Sequence, residues 1–117
     1  MGKDSQIVFM GDSLKLLRGF PDDVKDEIGQ ALRMAQRGLK HDSAKPYSSV
    51  TKGMEVVSNH DGDTWRGVYT LAFEGWVYVL DCFQKKSHKG KRVPKEGAQR
   101  VQLRFRAATR LHKELGR

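Results

Sequence analysis

Two short glycine-bearing turns, Asp61-Gly62 and Glu74-Gly75, constrain this chain more than any other feature. A glycine takes the positive φ that a tight hairpin needs, and a two-residue loop fixes how the flanking strands pair. Taken as such loops, the turns join strands at 54–59, 64–73 and 76–85. Counting outward sets Val57 beside Arg66 and Arg66 beside Phe83. Glu55 then falls beside Val68 and Val68 beside Asp81, and Met54 beside Tyr69 and Tyr69 beside Leu80. This register sorts the sheet into two faces, because a one-residue slip would exchange them. One face carries Met54, Val56, Trp65, Tyr69, Leu71, Phe73, Trp76, Tyr78, Leu80 and Cys82, and is almost wholly apolar. The other carries Glu55, Val57, Arg66, Val68, Thr70, Val77, Val79, Asp81, Phe83 and Lys85. Its charges gather at one end, where Arg66 and Lys85 are diagonal neighbours on adjacent strands.

The apolar face needs a cover, and the preceding residues supply one. Gln6–Phe9 reads as a short strand. Asp12 or Ser13 caps a brief helix that runs through Leu17 or Arg18, and Gly19-Phe20-Pro21 ends it. A second helix begins at Pro21, with Asp22, Asp23, Asp26 and Glu27 near its positive dipole end. Val24, Ile28, Ala31, Leu32, Ala35 and Leu39 recur at helical spacing, and Gly38 suits the C-cap. The two helices are expected to form a hairpin with one buried face. Residues 40–53, with Pro46 and Gly53, read as a loop. Pro94 opens a final helix to about Leu115, in which Val101, Phe105, Ala108 and Leu115 form a partial apolar stripe. The expected fold is α+β: a small antiparallel sheet of about four strands on an N-terminal helical hairpin, with a basic C-terminal helix. With 117 residues and no linker or repeat, one domain spans 1–117.

The charge is one-sided. Residues 1–82 carry 10 Lys/Arg and 12 Asp/Glu, whereas residues 83–117 carry 12 and 2, and the chain as a whole is +8. A field concentrated this way implies a polyanionic partner. Membrane is the weaker choice, because the basic segment has few Trp, Phe or Leu to insert. The longest uncharged apolar run, Val77-Tyr78-Val79-Leu80, is far short of a span of roughly 18 residues. The N-terminal residues show no secretory signal, and the single cysteine, Cys82, forms no internal disulfide, so a reducing cytoplasm is expected. No cofactor and no metal site are expected.

On residue chemistry alone, Arg66 has two readings. It pairs with Glu55 or Asp81 on its own face, or its planar fork takes a phosphate. Lys85 and Lys86 end their strand, pointing to opposite faces. His60 at the first turn and His88 in the basic loop are histidines able to move a proton near neutral pH. His41 and His112 have no supporting context. Asp81 suits holding Arg66 in place better than acting as a base. Phe83 either stacks on an unpaired base or buries against the last helix.

The order of motifs is familiar. Met54-Glu55-Val56 runs through Asp61-Gly62 to Trp65-Arg66-Gly67-Val68-Tyr69. Val77-Tyr78-Val79-Leu80 follows, then Phe83-Gln84-Lys85-Lys86-Ser87, then Pro94 and an arginine-bearing helix. This pattern resembles the HigB-like, phage-derived branch of the RelE/ParE superfamily of bacterial type II toxins. The resemblance implies a ribosome-dependent mRNA endonuclease neutralised by a cognate antitoxin, often of helix-turn-helix type. It implies that Arg66 and Lys85 hold the scissile phosphate and that Lys86 grips the neighbouring backbone or ribosomal RNA. Lys85, His60 and His88 stay open as acid–base candidates. Lys89, Lys91 and Arg92 of the basic loop, and Arg100, Arg104, Arg106 and Arg110 of the last helix, are the implied RNA-binding residues. Cleavage through the RNA 2′-OH would need no metal. Two other readings fit the same fold: a gyrase-inhibitor-like binding module that cuts nothing, and a phage accessory RNA-binding protein.

Overall fold

The structure, a computed structural model, describes residues 3–85 and 95–116, and only the backbone of Lys95 and Glu96. Its sheet grows from the hairpin at Asp61-Gly62. Both turn residues have positive φ, 50° and 80°, as a two-residue hairpin loop requires. The flanking strands β3 (Gly53–His60) and β4 (Asp63–Thr70) pair in the expected register: Met54 opposite Tyr69, Glu55 opposite Val68 and Val57 opposite Arg66. The second turn behaves differently. Strand β4 ends at Thr70, and Leu71–Gly75 form a longer connection, closed by the Trp76 N–H donating to the Phe73 carbonyl at 3.0 Å. Strand β5 (Trp76–Lys85) therefore meets β4 through a β-bulge. Arg66 lies opposite Phe83 and Val68 opposite Asp81, as expected, but Tyr69 lies opposite Val79 rather than Leu80.

One extra residue, Leu80, thus enters β5, and the alternation resets around it. Cys82, Val79 and Val77 point to one layer, while Asp81, Leu80 and Tyr78 face the other. The expected faces hold for β3, β4 and the end of β5 and are exchanged over residues 76–80. Trp76, Tyr78 and Leu80 leave the face assigned to them, and Val77 and Val79 take their place.

The sheet has five strands rather than about four, in the order β1-β5-β4-β3-β2. Strand β1 (Gln6–Phe9) runs parallel to β5, and β2 (Ala44–Pro46) pairs antiparallel with β3 in the segment expected to be a loop. Its proline sits on an edge strand, where a missing N–H is tolerated.

Helices cover both faces. Helix α1 (Ser13–Arg18) lies against β5, and α2 (Asp22–Gln36) crosses β3, β4 and β5. They share one buried cluster through Leu17, but each packs on the sheet rather than along the other, so the expected hairpin is two helices laid on the sheet. Val24, Ile28, Ala31, Leu32 and Ala35 bury with Val56, Tyr69, Val77, Val79 and Cys82. Gly67 admits α2 closely: a Cβ there would stand 3.0 Å from the Ile28 methyl. Leu39, assigned to the same stripe, is exposed. On the other face α3 (Lys95–Glu114) packs on β5 through Val101, Phe105, Ala108 and Leu111, against Val68, Tyr78, Leu80 and Phe83. Leu115, placed in this stripe by its spacing, lies beyond the helix and is exposed.

Candidate cationic site

The α3-covered face of the sheet carries charge at the end nearer the β3–β4 turn. Arg66 lies in the row Val57–Arg66–Phe83, and Lys85 in the next row opposite Thr64. Side chains two apart on a strand share a face, so Arg66 and Lys85 are diagonal neighbours on one surface, as the sequence implied. Arg66 also has the structural partner that its strand position allowed. Its Nη1 donates to Glu55 Oε2 at 2.7 Å. The other Glu55 oxygen faces Lys45 Nζ at 3.7 Å. Arg66 Nε is buried and has no acceptor. Among the described residues, Lys85 has no ion-pair partner.

Asp81 holds a different pair of arginines from the one expected. Its side chain is fully buried, and it meets α3 rather than Arg66. Arg100 donates to Oδ2 through Nε at 2.8 Å, and its Nη2 lies at ion-pair distance from the same oxygen, also 2.8 Å. Oδ1 accepts from Arg104 Nη1 at 3.0 Å and from the Cys82 amide at 2.9 Å. Arg104 continues to the Leu80 carbonyl at 3.0 Å and to Asp12 at 2.5 Å. The bulge brings Leu80 to α3 beside Asp81, so that consecutive residues of β5 both face the helix. Burial pushes the Asp81 carboxyl above the usual range, against the opposing pull of Arg100 and Arg104. Arg104, by donating to Asp12, holds that carboxyl below its ordinary value. The Cys82 thiol, buried beside Asp81, is pushed up to about 12, so it is an inert core group rather than a nucleophile.

The four arginines assigned to RNA binding in the last helix therefore divide. Arg100 and Arg104 are engaged by carboxylates, while Arg106 and Arg110 are exposed and have no such partner among the described residues. Lys86, His88, Lys89, Lys91 and Arg92 lie outside the described residues.

His60 is not brought to Arg66. It lies on the α2 side, with Nε2 3.3 Å from Asp61 and Nδ1 4.0 Å from Asp23 at the start of α2. The other two described histidines have structural partners. His112 Nδ1 shares a hydrogen bond with the Tyr78 hydroxyl at 3.1 Å, and its ring packs on Phe73 at 4.6 Å. His41 Nδ1 accepts from the Ser43 amide at 3.0 Å. Phe83 packs in the α3 layer, the second of its two readings. Sequence reasoning missed Lys45, because a three-residue strand is too short to show alternation.

A profile of the family described as "Phage derived protein Gp49-like (DUF891)" matches residues 15–106. The chain belongs to that family. Gp49-like proteins are phage-derived and toxin-like, in the RelE/HigB context, and a toxin-like family implies an antitoxin partner in general. The matched stretch of this Gp49-like chain includes Lys45, Glu55, Arg66, Lys85 and both latching arginines. No curated protein matches it. Among the described residues no helix is long and apolar enough to cross a membrane.

Proposed function

We propose that this Gp49-like protein is the toxin of a type II toxin–antitoxin pair and cleaves ribosome-bound mRNA in the cytoplasm. The observation that carries the reading is the pair of cations on one sheet face: Arg66, partly exposed and held by Glu55 through Nη1 alone, and Lys85 with no carboxylate partner among the described residues. RNA holds its own nucleophile. The 2′-OH attacks the adjacent phosphorus, the 5′-oxygen leaves, and a 2′,3′-cyclic phosphate forms. An enzyme needs to align the attack, move two protons and stabilise charge on the phosphoryl oxygens. Preorganised cations supply that stabilisation. Arg66 offers a planar donor edge and Lys85 a point charge, which suit two oxygens of one phosphodiester. In this reading Lys86 contacts the neighbouring backbone, and the basic 83–117 region holds the ribosome through ribosomal RNA. A helix-turn-helix antitoxin covers or distorts the Arg66/Lys85 region.

The test is cleavage of mRNA on purified ribosomes, with primer extension to locate cuts after induction in a bacterium. Arg66→Ala and Lys85→Ala are each expected to slow cleavage by roughly 100- to 1,000-fold, with circular dichroism unchanged. A folded Arg66→Ala protein that cuts at the parent rate removes this site. Overexpression that leaves growth and translation untouched removes the toxin reading.

A further inference from the structure

We infer that Glu55 and Lys45 are positioning residues for Arg66, with Glu55 fixing the guanidinium plane and Lys45 restoring the positive charge that Glu55 would cancel. The inference rests on the phosphate-binding reading of Arg66. Three adjacent strands build the arrangement: Lys45 on β2 lies opposite Glu55 on β3, and Arg66 on β4 is one row away on the same face. The Glu55 side chain is only 10% exposed, and each of its oxygens faces a different cation.

An ion pair kept for stability would satisfy the guanidinium fork. A half-satisfied buried pair stabilises less than an apolar replacement of similar size, and Val57 and Val68 show that the surroundings accept such groups. Here Glu55 takes Nη1 alone and leaves Nε buried without an acceptor. The other terminal nitrogen, Nη2, is not buried, and through it the 21% exposed side chain keeps a donor edge for a ligand. Anchoring one terminal nitrogen fixes the orientation of that edge before substrate arrives, and such preorganisation speeds a reaction. Electrostatics explains the third member. Glu55 and Arg66 alone would be neutral and would attract a phosphodiester weakly. Lys45 brings the trio to +1, and Lys85 brings the surface to +2.

The experiment is a double-mutant cycle read in single-turnover cleavage of ribosome-bound mRNA, with thermal melts of every variant. Glu55→Ala is expected to lower kcat by about 10- to 100-fold and to leave KM within about threefold. Glu55→Gln, whose amide oxygen still accepts from Nη1, should recover most of that loss. In an Arg66→Ala background Glu55→Ala should have no further effect, because the group it positions is gone. An equal loss in both backgrounds would show a merely structural role and overturn the inference. Lys45→Ala tests the same arrangement without touching a buried group. It should raise KM several-fold, and an unchanged KM counts against the charge argument. If the parent chain cuts no mRNA, the nuclease reading falls and takes this inference with it. If the parent cuts and Glu55→Ala cuts equally well, the inference alone falls.

Discussion

Two residues show how local chemistry is set by its surroundings. Glu27 on α2 accepts hydrogen bonds from the Ser43 and Ser58 hydroxyls, the latter at 2.5 Å. Burial raises its pKa, but the two donors outweigh burial and hold the carboxyl below its ordinary value of 4.5. A depressed folded pKa means that the unfolded chain binds the proton more tightly. The stabilisation is therefore present above pH 4.5 and is lost as pH falls through the lower folded value. Glu27→Gln should lower the urea midpoint at neutral pH and show a shallower acid-side decline than the parent. Parallel curves from pH 6 to pH 3 would contradict this account. Gly11 is the second case. It has φ +55°, and a Cβ there would stand 2.7 Å from the Arg104 guanidinium. That guanidinium is tied to Asp12, Asp81 and the Leu80 carbonyl, so it does not swing away freely. Gly11→Ala should destabilise by at least the left-handed backbone penalty of about 1–2 kcal/mol, measured by denaturant titration.

At the scale of the element, α3 is held by two different devices. Val101 and Ala108 bury against Leu80, Tyr78 and Val68, while Arg100 and Arg104 close on Asp81. Removing one member of a buried pair leaves an uncompensated charge and typically costs about 3–5 kcal/mol. Asp81→Ala should lose stability of this order. The loss should appear first as faster amide exchange in α3 and at β5 where α3 covers it, with α2 protected for longer. The same division predicts different results for the arginines. Arg106 and Arg110 are exposed and without carboxylate partners, so replacing both with Gln should leave the melting temperature nearly unchanged. It should also reduce the slope of log affinity against log salt for RNA by roughly 1.4–1.8. Arg100→Gln should do the reverse, losing stability with little change in that slope. If both changes move the slope equally, Arg100 also contacts the nucleic acid and the division fails.

Across the whole molecule, opposite charges are segregated by face. The acidic residues Asp22, Asp23, Asp61 and Asp63 gather where α2 begins and the β3–β4 hairpin turns, and His60 lies among them. The opposite face presents Lys45, Arg66 and Lys85, with the free cations of α3 beyond. A polyanion approaching this molecule is drawn to the α3 face and repelled from the α2 side of the hairpin tip. Association with ribosomes should therefore slow steeply with added salt. Charge reversal at Lys85 and Arg106 together should slow it far more than reversal at exposed cations on the opposite side, such as Lys25 and Arg33. Stopped-flow association rates at two ionic strengths measure this directly. Equal slowing from both pairs would mean that net charge, not its placement, steers the encounter.

Sequence alone determined what local geometry dictates. The Asp61-Gly62 loop admits one register, so Arg66 was placed opposite Val57, and Phe83 and Lys85 followed on the Arg66 face. The helical spacing of Val24, Ile28, Ala31, Leu32 and Ala35 identified the buried side of α2. Tertiary structure decided where two faces are both apolar. Val77-Tyr78-Val79-Leu80 is buried on each side of the sheet, so its alternation carries no register signal, and the bulge at Leu80 left no trace in the pattern. That single inserted residue turned Tyr78 and Leu80 toward α3, onto the face where the register had already put Asp81. The packing of α3 over that face gave Asp81 to Arg100 and Arg104 and left Arg66 to Glu55. Which carboxylate meets which arginine depends on positions up to 92 residues apart, as Asp12 and Arg104 show. Such pairings are set by the packing of whole elements, because a charge placed against the sheet takes whichever partner the layers bring within reach.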